Sequence, residues 1–225
     1  MNELVLGIDT TGRGGAVAIA TPGGVLAVEV HDPALGYAEE LFGLFDRVLD
    51  RGSRRRDELT AVAALSGPGS FTGLRIGIMT AKTLAYSLGI PLLSAPTLEL
   101  LAAASGPGLK LALCEAGRGH AWAQEIEVSE DEVVARSGLR RIKLEDVDPD
   151  LPNVICAPPL SRGFQVSDLA GPLALRAALR QVPLREVDPG SLVPEYGSVS
   201  QAERMHGLDL SEELRRPIEP EGWEP

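Results

Sequence analysis

A run of small and hydroxyl-bearing residues between an apolar segment and a helix constrains the fold of this chain more than any other stretch. After the apolar residues 61–65, the run reads Ser66-Gly67-Pro68-Gly69-Ser70-Phe71-Thr72-Gly73-Leu74-Arg75-Ile76-Gly77. Because glycine has no Cβ, several glycines in one turn let the backbone pass very close to another group. That group is a ligand, another helix or another protein.

The glycine run departs from each familiar phosphate-binding or catalytic turn. A Walker loop that starts at Gly67 requires glycine and lysine at positions 72 and 73, which hold Thr72 and Gly73. A dinucleotide fingerprint also requires glycine in place of Thr72, and a nucleophile elbow centred on Ser70 requires glycines on both sides, one of them in place of Pro68. Two interpretations remain: a structural turn in which Ser70 or Thr72 caps the helix, or a helix start that binds an anion.

The helix predicted after this turn, residues 72–88, carries a row of small residues. Gly73, Gly77, Ala81 and Ala85 recur every four residues and therefore lie along one side of the helix. Such a ridge permits backbone-close packing against another helix. Since apolar or small residues cover more than half of the circumference, the ridge contacts either a partner protein or the neighbouring helix of the same chain.

Strand and helix patterns around the turn predict a mixed sheet with helices packed on it. In chain order, the expected elements are strands at 4–8, 16–20 and 25–30, a helix at 38–49 that stops at Gly52, a strand at 61–65, the helix at 72–88 and a strand at 91–93. The first three strands, joined by tight turns, must be antiparallel neighbours. The strand–helix alternation that follows adds parallel strands, so we expect a mixed α/β sheet.

A second, weaker copy of this order begins near residue 106. Strands are expected at 109–114, 121–128 and 154–157, and a helix at 172–181. The predicted organisation is therefore an N-terminal subdomain over 1–105, a smaller subdomain over 106–208 and a tail over 209–225. This tail has six acidic residues and three prolines, and we expect it to be loosely held.

Charge and composition exclude several classes of protein. With 21 basic and 32 acidic residues the formal net charge is −11, which argues against a stand-alone nucleic-acid-binding protein because phosphate neutralisation supplies most of that affinity. Cys114 and Cys156 stand alone in apolar surroundings and are expected to be reduced thiols. Neither an N-terminal signal nor 18 consecutive apolar residues are visible, so we expect a cytoplasmic protein.

Candidate ligand-binding residues are confined to two turns. Asp9 and Thr10 follow the first strand and could hold a metal–nucleotide complex, with Gly67, Gly69 and Ser70 against its phosphates. Ordinary turn chemistry explains an Asp followed by hydroxyl residues equally well.

The remaining polar residues do not assemble into a reaction centre. The histidines at 31, 120 and 206 are too widely spaced for one helix to present two of them to a metal. The arginines at 51, 54, 55 and 56 are either solvated loop charge or a surface for RNA or an acidic partner. We therefore predict no catalytic residue, no metal site and no cofactor.

Several segments of the first hundred residues resemble the bacterial TsaB (YeaZ) family. They are Leu6-Gly7-Ile8-Asp9-Thr10-Thr11, Tyr37-Ala38-Glu39, the whole glycine run, Ala81-Lys82 and Leu88-Gly89-Ile90-Pro91, and Pro194-Glu195-Tyr196 resembles a proline–tyrosine segment near the family's end. The chain departs from the family at Tyr37, where a histidine is usual. It departs again at Glu115-Ala116-Gly117-Arg118, which is only similar to an Asp-Ala-Arg motif.

The resemblance implies an actin-like or Hsp70-like ATPase fold with two ribonuclease-H-type subdomains, each a mixed sheet flanked by helices. It also implies a role in making threonylcarbamoyladenosine at position 37 of tRNA. In that family TsaB is a non-catalytic subunit that pairs with the catalytic subunit TsaD, is joined by TsaE, and contacts tRNA mainly through the complex. Alone, it is expected to form a homodimer.

The pairing is expected to use the first two helices of the N-terminal subdomain. The predicted interface residues are Leu41, Phe45, Gly73, Arg75, Gly77, Ala81, Lys82 and Ala85. Two alternatives stay open. One is an ATP-dependent enzyme of the same fold with Asp9, Thr10 and the glycine turn on the nucleotide, and the other is a glycoprotease-type peptidase.

Overall fold

Two mixed β-sheets with helices between and beside them form the described part of the chain. The computed structural model describes residues 3–12, 15–32, 37–148, 153–157, 165–166 and 169–196. The predicted tail 209–225 and His206 lie outside these residues. The prediction of a mixed α/β fold with two mixed sheets flanked by helices is confirmed.

The first sheet has six strands and is built mainly from the N-terminal part of the chain. Its elements in chain order are β1 (Val5–Asp9), β2 (Ala16–Thr21), β3 (Gly24–Val30), α1 (Tyr37–Arg51), β4 (Ala61–Gly67), α2 (Phe71–Leu88), β5 (Leu92–Pro96) and α3 (Thr97–Ala104). The predicted antiparallel meander is present, because β1 pairs with β2 and β2 with β3. Strand β4 lies parallel to β1, and β5 parallel to β4.

The second sheet is organised around one long hairpin. Its strands are β6 (Gly108–Gly117), β7 (His120–Val128), β8 (Val133–Ala135), β9 (Arg140–Lys143), β10 (Val154–Cys156) and β11 (Gln165–Val166). Strands β6 and β7 pair antiparallel, β10 runs parallel to β6, and both β8 and β9 pair with β7.

The last two elements return from the second part of the chain to the first sheet. They are α4 (Ala170–Ala178) and β12 (Arg185–Val187), and β12 pairs antiparallel with β5 at the sheet edge. Helix α4 packs directly on β1, where a Cβ built on Gly7 would lie 2.6 Å from the Ala170 carbonyl oxygen. The boundary at residue 106 stays a prediction, but residues 170–187 are spatial neighbours of the first sheet.

Alternate residues of the first sheet feed two different cores. Leu6 and Ile8 point towards α1 and α2 and share a core cluster with them. Val5, with Ala63 of β4, points the other way, into a cluster formed with α3, α4 and the second sheet. Because successive strand residues alternate between faces, the strands separate the α1/α2 layer from the layer between the sheets.

Helix α2 begins and ends with local signals that the sequence contains. The Ser70 hydroxyl accepts a hydrogen bond from the Gly73 amide at 3.2 Å, which is an N-cap interaction. Gly89 ends the helix with a φ of 64°, a left-handed conformation that favours glycine. The predicted bounds of this helix, 72–88, differ from the structure by one residue.

Candidate functional site

The glycine turn packs against the turn that follows β1. The Ser70 amide donates a hydrogen bond to the Thr11 carbonyl oxygen at 2.6 Å. A Cβ built on Gly69 would lie 2.8 Å from that oxygen and from the Thr11 Cβ, so only glycine fits there without a shift. The close approach predicted from the glycines is therefore made to the protein's own first turn.

Helix α2 continues this close contact through Thr10. The Thr10 hydroxyl is buried and donates to the Gly73 carbonyl oxygen at 2.7 Å. A Cβ on Gly73 would overlap the Thr10 carbonyl oxygen, and one on Gly77 would overlap the Thr10 hydroxyl. The two glycines thus let α2 lie against the end of β1.

Asp9 is held within its own turn. One carboxylate oxygen of Asp9, Oδ1, accepts hydrogen bonds from the Thr11 amide at 2.9 Å and from the Thr11 hydroxyl at 2.7 Å. The side chain is 6% exposed. The structure therefore brings the candidate nucleotide residues of both turns together, in contact with each other. Nucleotide binding by them was the alternative to the prediction of no cofactor, and it stays an open alternative.

A short segment, residues 192–196, crosses the other side of the glycine turn, and we call it the strap. The Glu195 amide donates to the Ser66 carbonyl oxygen at 2.7 Å. Gly67 has a φ of 119°, and a Cβ on it would overlap the Glu195 carbonyl oxygen. Leu192 anchors the strap because its side chain is buried in the core cluster shared by α1 and α2. The glycine turn is thus enclosed between Thr11 and the strap.

The strap ends in an aromatic and cationic cluster at the start of α2. The rings of Tyr196 and Phe71 lie 4.3 Å apart between centroids. The Arg75 guanidinium carbon is 4.2 Å from the Phe71 centroid and 5.6 Å from that of Tyr196, and its Nε donates to the Tyr196 hydroxyl at 2.8 Å. Sequence reasoning noted Pro194-Glu195-Tyr196 only as a resemblance and did not place it at this helix.

Two carboxyl groups near the strap have altered acidities. Burial raises the pKa of Glu99, on the first turn of α3; the nearby Glu195 raises it further, and Arg185 opposes the shift. Partial burial of its carboxyl group likewise raises the pKa of Glu195. The strap thus brings the Glu195 carboxyl group close enough to Glu99 to raise the pKa of Glu99, while Arg185 lowers it.

The side of α2 that carries the small residues faces inward, which corrects the predicted interface. Six predicted interface residues are buried in the chain's own fold: Leu41, Phe45, Gly73, Gly77, Ala81 and Ala85. The ridge packs on Thr10 and on the core beneath α1 and α2, because its small side chains let α2 lie close to the sheet. Of the predicted set, only Arg75 is exposed, and Lys82 is partly exposed.

The opposite side of α2 exposes large apolar side chains. Met79 is 58% exposed and Tyr86 is 86% exposed, while Phe42 on the adjacent helix α1 is 60% exposed. We call Phe42, Arg75, Met79, Lys82 and Tyr86 the outer face. The signal that could have identified it is the pair of cations in an otherwise uncharged helix, since cations mark the solvated side.

The arginines at the end of α1 and just after it are paired with nearby carboxylates. Their ion pairs are Arg51 with Glu29 at 2.5 Å, Arg54 with Glu58 at 3.6 Å, Arg55 with Asp57 at 2.5 Å and Arg56 with Asp46 at 2.9 Å. The hydrogen bond from Arg51 is the main cause that lowers the pKa of Glu29. These contacts favour the interpretation of solvated loop charge.

The cysteines and described histidines occupy structural positions. Cys114 and Cys156 are buried free thiols, as predicted, and burial raises the pKa of Cys156 to about 12. His31 is buried, with its Nδ1 2.7 Å from a Glu40 carboxylate oxygen, and His120 contacts the Arg118 carbonyl oxygen. Within the described ranges, no group of three or more His, Cys, Asp or Glu side chains could hold a metal ion.

No helix in the described part of the chain is long and apolar enough to cross a membrane.

The sequence matches a family profile and individual proteins that are all named for the threonylcarbamoyl modification of tRNA. The sequence profile of the family described as TsaD, tRNA N6-adenosine threonylcarbamoyltransferase, matches residues 19–148, more than half of the chain. The tRNA threonylcarbamoyladenosine biosynthesis protein TsaB of Bacillus subtilis is 32% identical over 99 residues, which cover 44% of this chain and 43% of that protein. A tRNA N6-adenosine threonylcarbamoyltransferase of Rhizobium leguminosarum is 41% identical over 66 residues, 29% of this chain and 18% of that enzyme.

Solved structures share the fold over a longer stretch. A Pseudomonas aeruginosa protein described as similar to peptidase YEAZ superposes with a TM-score of 0.67 at 21% identity, covering 87% of this chain and all of the other. YeaZ from Pseudomonas aeruginosa superposes with a TM-score of 0.65 at 20% identity, covering 86% and 100%. By contrast, the matched segments span less than half the length of the curated relatives above.

Proposed function

We propose that the chain, which belongs to the family whose profile it matches, is a TsaB (YeaZ)-type, non-catalytic subunit in threonylcarbamoyladenosine biosynthesis on tRNA. In the proposal it pairs with the catalytic subunit TsaD, and TsaE joins the pair. The complex modifies position 37 of tRNA, and this chain contacts tRNA mainly through the complex.

The observation that carries the proposal is the outer face. Met79, Tyr86 and Phe42 expose large apolar or aromatic side chains on two adjacent helices that cover the same side of the first sheet. Methionine and aromatic residues are enriched in protein interfaces, and clustered exposure of such residues marks contact surfaces. The face is therefore suited to bury against another protein.

Charge on α2 indicates what kind of partner fits. The helix contains Arg75 and Lys82 and no acidic residue, although the whole chain has a net charge of −11. Complementary charges at an interface favour the correct partner and its orientation. We therefore expect acidic side chains on the TsaD surface that meets α2, at the border of an apolar centre.

The internal contacts of the two turns support a scaffold role. The Asp9 carboxylate is engaged by Thr11, and the Thr10 hydroxyl by Gly73. The turn that would approach a phosphate instead approaches Thr11 and the strap. These contacts hold α2 in position, and the helix then presents its outer face to a partner.

The same outer face offers a contact for a second copy of this chain. A homodimer formed through Met79 and Tyr86 would bury the residues that the TsaD pairing also needs. In the proposal, homodimer and TsaD complex therefore exclude each other.

Co-purification with TsaD of the same organism, followed by a reconstituted tRNA modification assay, tests the proposal. We expect the double variant Met79→Glu/Tyr86→Glu to lose TsaD binding and to fail to support modification, because charge on an apolar interface is costly to desolvate. Its thermal unfolding midpoint should stay near that of the parent, since both side chains are exposed.

Leu109→Glu is the matched control. Leu109 is an apolar residue 49% exposed on β6 of the second sheet, away from the outer face. This variant should bind TsaD and support modification like the parent chain. The proposal fails if the double variant binds TsaD with unchanged affinity, or if modification proceeds equally well when this chain is left out.

A further inference from the structure

We infer that Arg75 is a preorganised anchor of the outer face, held by Phe71 and Tyr196 so that the free edge of its guanidinium takes a carboxylate of the partner subunit. The inference rests on the proposed function and specifies the chemistry of its interface. It assigns a binding role to the strap, which places Tyr196 against a helix 121 residues earlier in the chain.

Three contacts fix the position of the guanidinium. Its carbon lies 4.2 Å from the Phe71 ring centroid and 5.6 Å from the Tyr196 centroid, and Nε donates to the Tyr196 hydroxyl at 2.8 Å. The two rings stack at 4.3 Å with a tilt of 31°. An arginine side chain ordinarily loses rotamer freedom on binding, so an arginine already held by such contacts loses less.

Within the described part of the chain, the two terminal nitrogens of Arg75 make no hydrogen bond. A guanidinium has five N–H donors in a planar fork, and the Tyr196 hydroxyl engages the one on Nε. In the part of the chain that the structure describes, no carboxylate lies within ion-pair distance of Arg75. Arg75 is exposed, and its contacts among the described residues are the two rings and the Tyr196 hydroxyl. A carboxylate is the group that matches such a fork with two parallel hydrogen bonds.

Other arginines near the α1/α2 layer are used differently. Arg47 pairs with Glu40 and Glu29, and Arg51 also pairs with Glu29. Those side chains are satisfied within the protein, whereas among the described residues Arg75 contacts aromatic rings and no carboxylate. The difference supports the inference that a partner supplies the counter-charge of Arg75, with the acidic residues 209–225 of this chain as the alternative to be tested.

Arg75 is continuous with the apolar part of the outer face. Met79 follows it by four residues and therefore lies next to it on the same side of the helix, in the direction of Tyr86. Binding hot spots are enriched in arginine, tyrosine and tryptophan and are surrounded by contacts that exclude water. Because neighbouring apolar contact lowers the local dielectric, a carboxylate on Arg75 would be bound more strongly than at an isolated surface site.

Calorimetric titration of variants with TsaD tests the anchor. Arg75→Lys keeps the charge but loses the planar fork and the stacking, and we expect the affinity to fall about 10-fold or more, the range of a binding hot spot. Tyr196→Phe keeps the ring and removes the hydroxyl that holds Nε, and it should weaken binding by about 3-fold, the value of one modest hydrogen bond. Neither variant should change the thermal unfolding midpoint by more than a few degrees.

Arg55→Lys is the matched control, because Arg55 is exposed and lies away from the outer face, in an ion pair with Asp57. It should bind TsaD like the parent chain. The salt dependence adds a second readout: Arg75→Lys should keep the slope of affinity against salt while lowering the affinity, and Arg75→Ala should lower both.

The outcomes separate the anchor from the proposed function. If the parent chain does not bind TsaD, the proposed function itself fails; if the parent binds and Arg75→Lys binds equally well, only the anchor is refuted. Weakened self-association without weakened TsaD binding would overturn the proposal and assign Arg75 to a second copy of this chain.

A second experiment measures the Arg75→Lys effect on TsaD affinity in a chain whose acidic residues over 209–225 are changed to amides. An unchanged effect supports the proposal. Disappearance of the effect would assign Arg75 to the chain's own acidic segment and overturn it.

Discussion

The two sides of α2 differ in composition and do different work. The inner side carries Gly73, Gly77, Ala81 and Ala85 and packs on Thr10 and the core. The outer side carries two cations and two large exposed side chains, Met79 and Tyr86. Small residues here bring a helix close to its own sheet, whereas the proposed docking surface consists of large residues.

This contrast changes what the glycine signature means. Its glycines are required where α2 meets Thr10, Thr11 and the strap, since a Cβ at Gly67, Gly69, Gly73 or Gly77 would come too close to one of them. The signature thus describes how α2 is seated on the sheet. The residues proposed to meet a partner stand on the opposite side, where any exposed side chain is sterically tolerated.

The largest effect is expected from filling the inner side. In Gly77→Leu the new side chain must occupy the space of the Thr10 hydroxyl, and we expect a loss of about 3 kcal/mol or more in the free energy of unfolding because overpacking displaces the helix. Urea denaturation measures the loss. Met79→Leu, an apolar change on the outer side of the same helix, is the control and should unfold within about 0.5 kcal/mol of the parent. Equal stability of the two variants would contradict the inward orientation of the ridge.

A smaller effect is expected from the single hydrogen bond that ties β1 to α2. Thr10→Val keeps the shape and removes the bond to the Gly73 carbonyl oxygen, which should cost about 1 kcal/mol of unfolding free energy. Thr10→Ser keeps the hydroxyl and serves as the control. TsaD affinity should be the same for both variants, since the bond lies on the inner side. If Thr10→Val lost TsaD binding while its free energy of unfolding stayed unchanged, the claim that only the outer side of α2 binds the partner would be contradicted.

The elements of the first sheet could be predicted because short-range patterns define them. The meander, α1, β4 and α2 follow from apolar periodicity, from tight turns and from residues such as Ser70 and Gly89 at the helix ends. Helix α3 was missed because Thr97–Ala104 is almost uniformly buried, so it has no polar side to reveal a helical period. Strand β12 is only three residues long and pairs with β5, more than 85 residues earlier, so no local pattern indicates it.

The sequence pattern located helix α2, but it did not show that the side with the small residues faces the chain's own sheet. Both faces of α2 are apolar or small, and sequence periodicity alone does not say which of them meets the sheet. The positions of Arg75 and Lys82 contained that information, because an unpaired cation avoids the core. The contact between Tyr196 and Arg75 joins distant parts of the chain and depends on the path of the strap, which sequence patterns do not specify.

Hydroxyl-radical footprinting of the outer face, in the free chain diluted until it is monomeric and in the TsaD complex, tests the central claim most directly. Because Met79 is 58% exposed, we expect it to oxidise readily in the free monomer. Leu109 on the second sheet, 49% exposed, is the reference. We predict that complex formation protects Met79 and Tyr86 and leaves the reactivity of Leu109 unchanged. A complex that forms while Met79 and Tyr86 react as fast as in the free chain would contradict the account.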